Sequence, residues 1–299
     1  MKSLALGVAI LASSLPGVPP KRPRFDPAIT ATRVTDNLYV LDGAGGNVAA
    51  FVSDQGVLLV DDKIAPASPR LKAAVAALTD KPIRFVVNSH WHPDHRGGNE
   101  ALAGDGAVVV AHENVRTKMS VGGFVAVFDS KLPAVPPGAL PVVTFTRDVT
   151  LHLGGEEISV FHVGAAHTDG DSFVRFRKAN VLHMGDCYLN GSFPVVDSMN
   201  GGTLRGVIDA ADTALGMIDA STRIVPGHGP VASGRDLKTW RDMVATIDER
   251  VRKSVAAGKS LDQVKAERPA KEWDDRLPAS FVASDHVVEE AYREATSPR

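Results

Sequence analysis

Residues 89–98 read SHWHPDHRGG, which places His90, His92, Asp94 and His95 within six positions. They directly follow RFVVN at 84–88, a short apolar run that reads as a strand, so the four side chains are expected at a strand end. Pro93 forbids an ordinary helix interior, which predicts a loop here. In an extended stretch His90 and His92 point to one side, and the turn that follows swings Asp94 and His95 to an adjacent position. Neutral imidazoles and a carboxylate are donors that zinc accepts. Crowding them together without a cation would leave a desolvation cost with nothing to offset it.

Outward from this stretch, three more candidates each follow a predicted strand. His167 lies in GAAHTDGD, Asp186 in HMGDCYLNG and His228 in PGHGP. The prolines and glycines around His228 make a rigid turn that fixes one side chain at a strand tip, where sites tend to be built. Strands are predicted at 38–41, 48–52, 57–60, 107–111, 158–163, 173–176, 181–184 and 223–225, and helices at 66–79, 203–218, 236–257 and 284–295. This mixture predicts an α/β protein with helices on the outer faces of its sheets. Of the remaining histidines, His112 is placed at a helix start, His162 and His183 in strands, and His152 and His286 have no supporting neighbours.

Across 299 residues the chain is 44% hydrophobic and 23% charged, which excludes a disordered chain, a collagen-like fibre and a multispan membrane protein. A formal net charge of −2 offers no basic field, so no nucleic-acid partner is expected. One cysteine, Cys187, forbids an intrachain disulfide and leaves the compartment open. The opening MKSLALGVAILASSLPGVPP runs from a lysine through an apolar stretch to small residues and prolines, the order of a secretory signal. Residues 1–26 are therefore read as signal peptide and linker. The mature protein is expected to be periplasmic or secreted, with no membrane association.

Together, His90-x-His92-x-Asp94-His95, His167, Asp186 and His228 resemble the five-part signature of the metallo-β-lactamase superfamily, over roughly residues 38–230. The resemblance implies one domain over 27–299, an αββα sandwich of two face-to-face mixed β-sheets with helices outside and a metal site at one edge. It also implies two Zn2+ per chain. His90, His92 and His167 would hold the first, Asp94, His95 and His228 the second, and Asp186 would bridge them. Asp61 and His183 would hydrogen-bond the ligands and orient them. Cys187 follows Asp186 directly, and the best-known β-lactamase subclass places a second-zinc cysteine near this point, so either residue could serve.

The function implied is a zinc-dependent hydrolase of a small molecule with an activated carbonyl, with Asp94 orienting the attacking hydroxide. β-Lactam ring opening is the first expectation, and Asn190 is the candidate contact for the substrate carboxylate. The alternative is a thioester, lactone or ester hydrolase of the glyoxalase II type with the same centre. An iron-dependent persulfide-oxidising enzyme is a third reading, although it does not need His95. The oligomeric state is not legible.

Overall fold

The computed structural model describes residues 28–277 and 280–297; the expected signal segment and linker lie outside them. Seven strands form the first sheet, in the order β1 (Thr30–Arg33), β2 (Leu38–Asp42), β3 (Val48–Ser53), β4 (Gly56–Val60), β5 (Ile83–Val87), β6 (Val108–His112) and β9 (Val143–Phe145). The first four pair antiparallel and the rest parallel. Six strands form the second, in the order β10 (Asp148–Leu153), β11 (Glu156–His162), β12 (Ser172–Phe176), β13 (Val181–His183), β14 (Arg223–Val225) and β15 (Ala232–Ser233). Here only β13 and β14 run parallel. A hairpin, β7 (Gly123–Val125) with β8 (Ser130–Leu132), stands apart.

The apolar runs are continuous because the strands are buried on both faces. In β3 and β4, Ala49, Phe51, Leu58 and Val60 face the second sheet, meeting Val160, Val174 and Phe176. Phe51 and Phe176 bring their ring centroids within 5.7 Å. The alternate residues Ala50, Val57 and Leu59 face outward onto Leu71 and Val75 of α1 (Ser68–Ala76) and Leu102 of α3 (Asn99–Gly104). On the far side, α5 (Leu204–Met217), α6 (Gly234–Ala256) and α9 (Ser284–Thr296) cover Phe173, Leu182 and Ile224. The layers are therefore helix, sheet, sheet, helix, the αββα sandwich.

Two local expectations change. Residues 93–96 are a four-residue helix, α2 (Pro93–Arg96), and not a loop. Proline blocks a helix interior but suits its first turn, where its missing N–H would go unused. Strand β10 and the β7–β8 hairpin go unread in the sequence; β10 alternates polar and half-buried at a sheet edge, without an apolar run. Among the described residues no helix is long and apolar enough to cross a membrane.

The turns after β5, β11, β13 and β14 carry His90 to His95, His167, Asp186 and His228 respectively. Each turn leaves its strand at the carboxyl end, so both sheets deliver these side chains to one shared edge.

Candidate metal centre

Donor atoms gather in three groups, each with its members within 4.8 Å of one another: His90, His92 and His167; His90, His95 and Asp186; Asp94, His95 and His228. The first and third are the two sets drawn from the sequence. Asp186 lies between them, with Oδ1 3.1 Å from His95 Nε2 and Oδ2 3.6 Å and 3.8 Å from His228 Nε2 and His167 Nε2. His90, His92, His95 and His167 are buried, whereas the side chains of Asp94 and His228 keep 34% and 15% of their surface. The centre therefore opens on the Asp94–His228 side.

Each buried histidine has its outer ring nitrogen committed as a donor. His167 Nδ1 donates to the Val195 carbonyl at 2.7 Å, and His92 Nε2 to the Asp197 carboxylate at 2.9 Å. His95 Nδ1 donates to Asp61 Oδ2 at 2.7 Å. Ser89 Oγ gives its proton to Asp61 at 2.7 Å, so it accepts from His90 Nδ1 at 3.0 Å. The inward nitrogens of His90, His92 and His167 then present lone pairs, the arrangement that fixes tautomers around a metal, while His95 Nε2 faces Asp186 Oδ1.

Charge follows the same pattern. Burial lowers His90 well below the usual imidazole range and takes His167 to about 4, so both are neutral. Burial pushes Asp186 and Asp94 up, but the surrounding histidines prevail and both carboxyls end below their ordinary range. Burial also works against a charge on His95, yet Asp186, Asp94 and Asp61 together raise it well above 6.5.

Several positioning residues escaped the sequence reading. Asp197 holds His92 and is itself held by both its oxygens on Asn200 Nδ2, at 2.8 and 2.7 Å. Asn47 donates from Nδ2 to the Pro226 and Gly229 carbonyls and from its backbone N–H to Gly227, clamping the His228 turn. Two glycines are required by close approach: a Cβ on Gly46 would stand 2.0 Å from His95 Cε1, and one on Gly227 1.9 Å from Asp186 Oδ1. Lys63, fully buried, donates to the Leu41 and Gly46 carbonyls at 2.6 Å and so holds the loop that covers His95.

Two expected roles need correction, and a third residue is shown with a further contact. Cys187 belongs to none of the donor groups found among the described residues. Its thiol is buried and faces Asp171, and burial with that carboxyl raises it well above the usual range, the reverse of a thiolate ligand. Asn190 donates one amide proton from Nδ2 to the Pro230 carbonyl at 2.9 Å, which braces the His228 turn, and its second amide proton is the one left to the expected carboxylate contact. His183 acts at one remove: its Nε2 meets the Asn47 carbonyl and its Nδ1 accepts from Gly185 N–H. Asp61, by contrast, touches His95 directly. Away from the centre, His112 caps α4 (Glu113–Val121) and stacks on His162 at 4.0 Å, while His286 accepts from Val196 N–H.

The residues fit metal ions on their own geometry. His92 Nδ1 and His167 Nε2 lie 2.9 Å apart, and with both outer nitrogens donating, two lone pairs face each other. His90 Nε2 is buried with no hydrogen-bond partner among the described residues. Lone pairs left so close in a dry site are costly unless a cation lies between them.

A family model of the metallo-β-lactamase superfamily matches residues 41–257. A linear primary-alkylsulfatase of Pseudomonas sp. (strain ATCC 19151) is 24% identical, over 80% of this chain and 53% of its own. The 2,4-dinitroanisole O-demethylase subunit alpha of Nocardioides sp. (strain JS1661) is 23% identical, over 62% and 52%. The chain thus spans about half the length of these curated relatives. Among solved structures, a metallo-β-lactamase from Pontibacter korlensis superposes with TM-score 0.58 at 21% identity, covering 72% of this chain and 99% of its own. The sec-alkylsulfatase Pisa1 from Pseudomonas sp. gives 0.65 at 18% identity, covering 89% and 50%. With more than half the chain matched by the family model and the sandwich built as that likeness requires, the chain belongs to the metallo-β-lactamase superfamily.

Proposed function

We propose that the protein is a dinuclear zinc hydrolase of small ester-type substrates, among them carboxylate esters, thioesters, lactones and sulfate esters. The observation that carries this reading is the set of inward lone pairs on His90, His92 and His167, with Asp186 between the two donor groups and against His95. Zinc bound there supplies Lewis acidity and a hydroxide near neutral pH. The protein's own part is to position and to exclude water. Substrate enters where Asp94 and His228 retain exposure. Asp94, on the first turn of α2, accepts a hydrogen bond from the attacking water and aims it at the scissile bond. Asp61, Asp197 and the Val195 carbonyl hold three imidazoles still, so little reorganisation is left to the reacting state.

The alkylsulfatase and the O-demethylase are named for bonds to oxygen, which supports ester-type substrates, oxygen esters foremost. β-Lactam ring opening is the second reading. It keeps the metal centre, but it loses support from the Gly-Asp-Cys segment, because the Cys187 thiol is buried against Asp171. The test is one rate comparison on zinc-restored protein across a phenyl ester, a thioester, a lactone, an alkyl sulfate and a β-lactam. Turnover of ester-type substrates well above that of the β-lactam supports the first reading. A β-lactam turned over fastest reverses the order, and full activity after chelation sinks both.

A further inference from the structure

Phe281 is a large aromatic side chain with 56% of its surface exposed, and its ring sits 4.7 Å from the His228 ring at 63°. Scattered apolar residues on a surface are ordinary, but this one is held in place. The hydroxyls of Ser192 and Ser280 meet at 2.8 Å; Phe281 N–H donates to Ser192 Oγ at 3.1 Å and Phe193 N–H to Ser280 Oγ at 3.0 Å. Ser192 is in turn fixed by Trp240 Nε1, which donates to its carbonyl at 2.8 Å. The loop so gripped is the one whose Asn190 N–H donates to the His228 carbonyl. A reciprocal clasp therefore fixes an open phenyl ring beside the ligand that borders the mouth of the centre.

We infer that Phe281 is a specificity-determining wall that selects substrates carrying an aryl group on the His228 side of the scissile bond. This rests on the hydrolase reading for the bond that is cleaved, but not for the contact itself. An aryl group laid against Phe281 buries two apolar surfaces together and gains the favourable geometry of an aromatic pair. A methyl group in the same place covers little of it. Because the ring is largely exposed and its backbone is held by the clasp, Phe281→Ala removes the wall without opening the core.

The experiment measures two things on zinc-supplemented protein. Calorimetry gives the affinities for phenylphosphonate and methylphosphonate, and kinetics gives KM and kcat for phenyl acetate and methyl acetate. In F281A, phenylphosphonate should weaken roughly tenfold and methylphosphonate by about twofold or less. The phenyl ester should lose through KM with kcat nearly kept, and Phe281→Trp should preserve the aryl preference. Equal losses on both probes, or none, overturn the inference. If no ester is turned over, the hydrolase reading fails, and the phosphonate affinities alone still decide the role of Phe281.

Discussion

His95 is the most constrained residue of the centre, because it touches Asp61, Asp94, Asp186 and His228 at once. Burial lowers its proton affinity, but the three carboxylates raise it well above 6.5, so in the metal-free protein it is an imidazolium. On the proposed reading zinc would displace that proton, so uptake should release it and weaken as pH falls; titration in two buffers of different ionisation enthalpy reads the proton count. His95→Ala should remove one of two zincs by elemental analysis with the circular dichroism unchanged. Cys187→Ser should leave both bound, since the thiol faces Asp171 and not the donors. A larger zinc loss in C187S would restore the cysteine as a ligand. Asp197→Asn should keep the His92 contact but weaken its polarisation, lowering zinc affinity by roughly 10- to 100-fold. Unchanged affinity in a competition titration with a chelator would remove Asp197 from the orienting role.

At the scale of elements, what was legible depended on how local the cause is. Strands buried on both faces, such as β3 and β4, declare themselves as apolar runs, and α6 does so through its stripe of Trp240, Val244, Ile247 and Val251. The candidate donors were legible because they cluster at strand tips. Their supports were not: Asp197 reaches His92 across 105 positions and Asn47 reaches Pro226 across 179, with no local pattern to mark either. The turn between β11 and β12 adds a further hidden group. Asp171 accepts from Thr168 N–H at 2.8 Å and Thr168 Oγ at 2.5 Å, and burial raises its carboxyl to about 7. The folded chain then keeps this proton between about pH 4 and 7, where the unfolded chain has lost it. The stability it contributes is complete below the unfolded value and gone as pH rises through 7. Asp171→Asn cannot titrate. The difference in unfolding free energy between wild type and D171N should therefore fall with rising pH, by an amount on the order of 4 kcal/mol. Urea denaturation of chelator-treated protein from pH 4 to 8 measures it, and a flat difference would mean that Asp171 is ionised throughout.

For the whole molecule, the centre is where the two sheets meet outside their shared apolar interior. His90, His92, Asp94 and His95 follow β5 of the first sheet; His167, Asp186 and His228 come from β11, β13 and β14 of the second. The sandwich core of Phe51, Val60, Val174 and Phe176 holds the sheets together without metal, so chelation should not unfold the chain at ambient temperature. At their edge, however, the metal-free protein leaves facing lone pairs and an orphaned His90 Nε2. On the proposed reading, zinc would convert that cost into bonds that tie one sheet to the other, and it would bind only the folded arrangement. Linkage then sets the scale: free zinc a thousandfold above its dissociation constant stabilises by about 4 kcal/mol. For a domain of this size each kcal/mol moves the melting temperature by roughly 2–4 °C. The zinc-loaded protein should therefore melt at least about 8 °C above the chelated one, with the gap widening as free zinc increases. H90A, which removes a donor shared by two groups, should abolish most of that gap while melting near the chelated wild type. Coincident melting curves with and without zinc would mean that the edge cluster closes on its own protons, and that no metal joins the sheets.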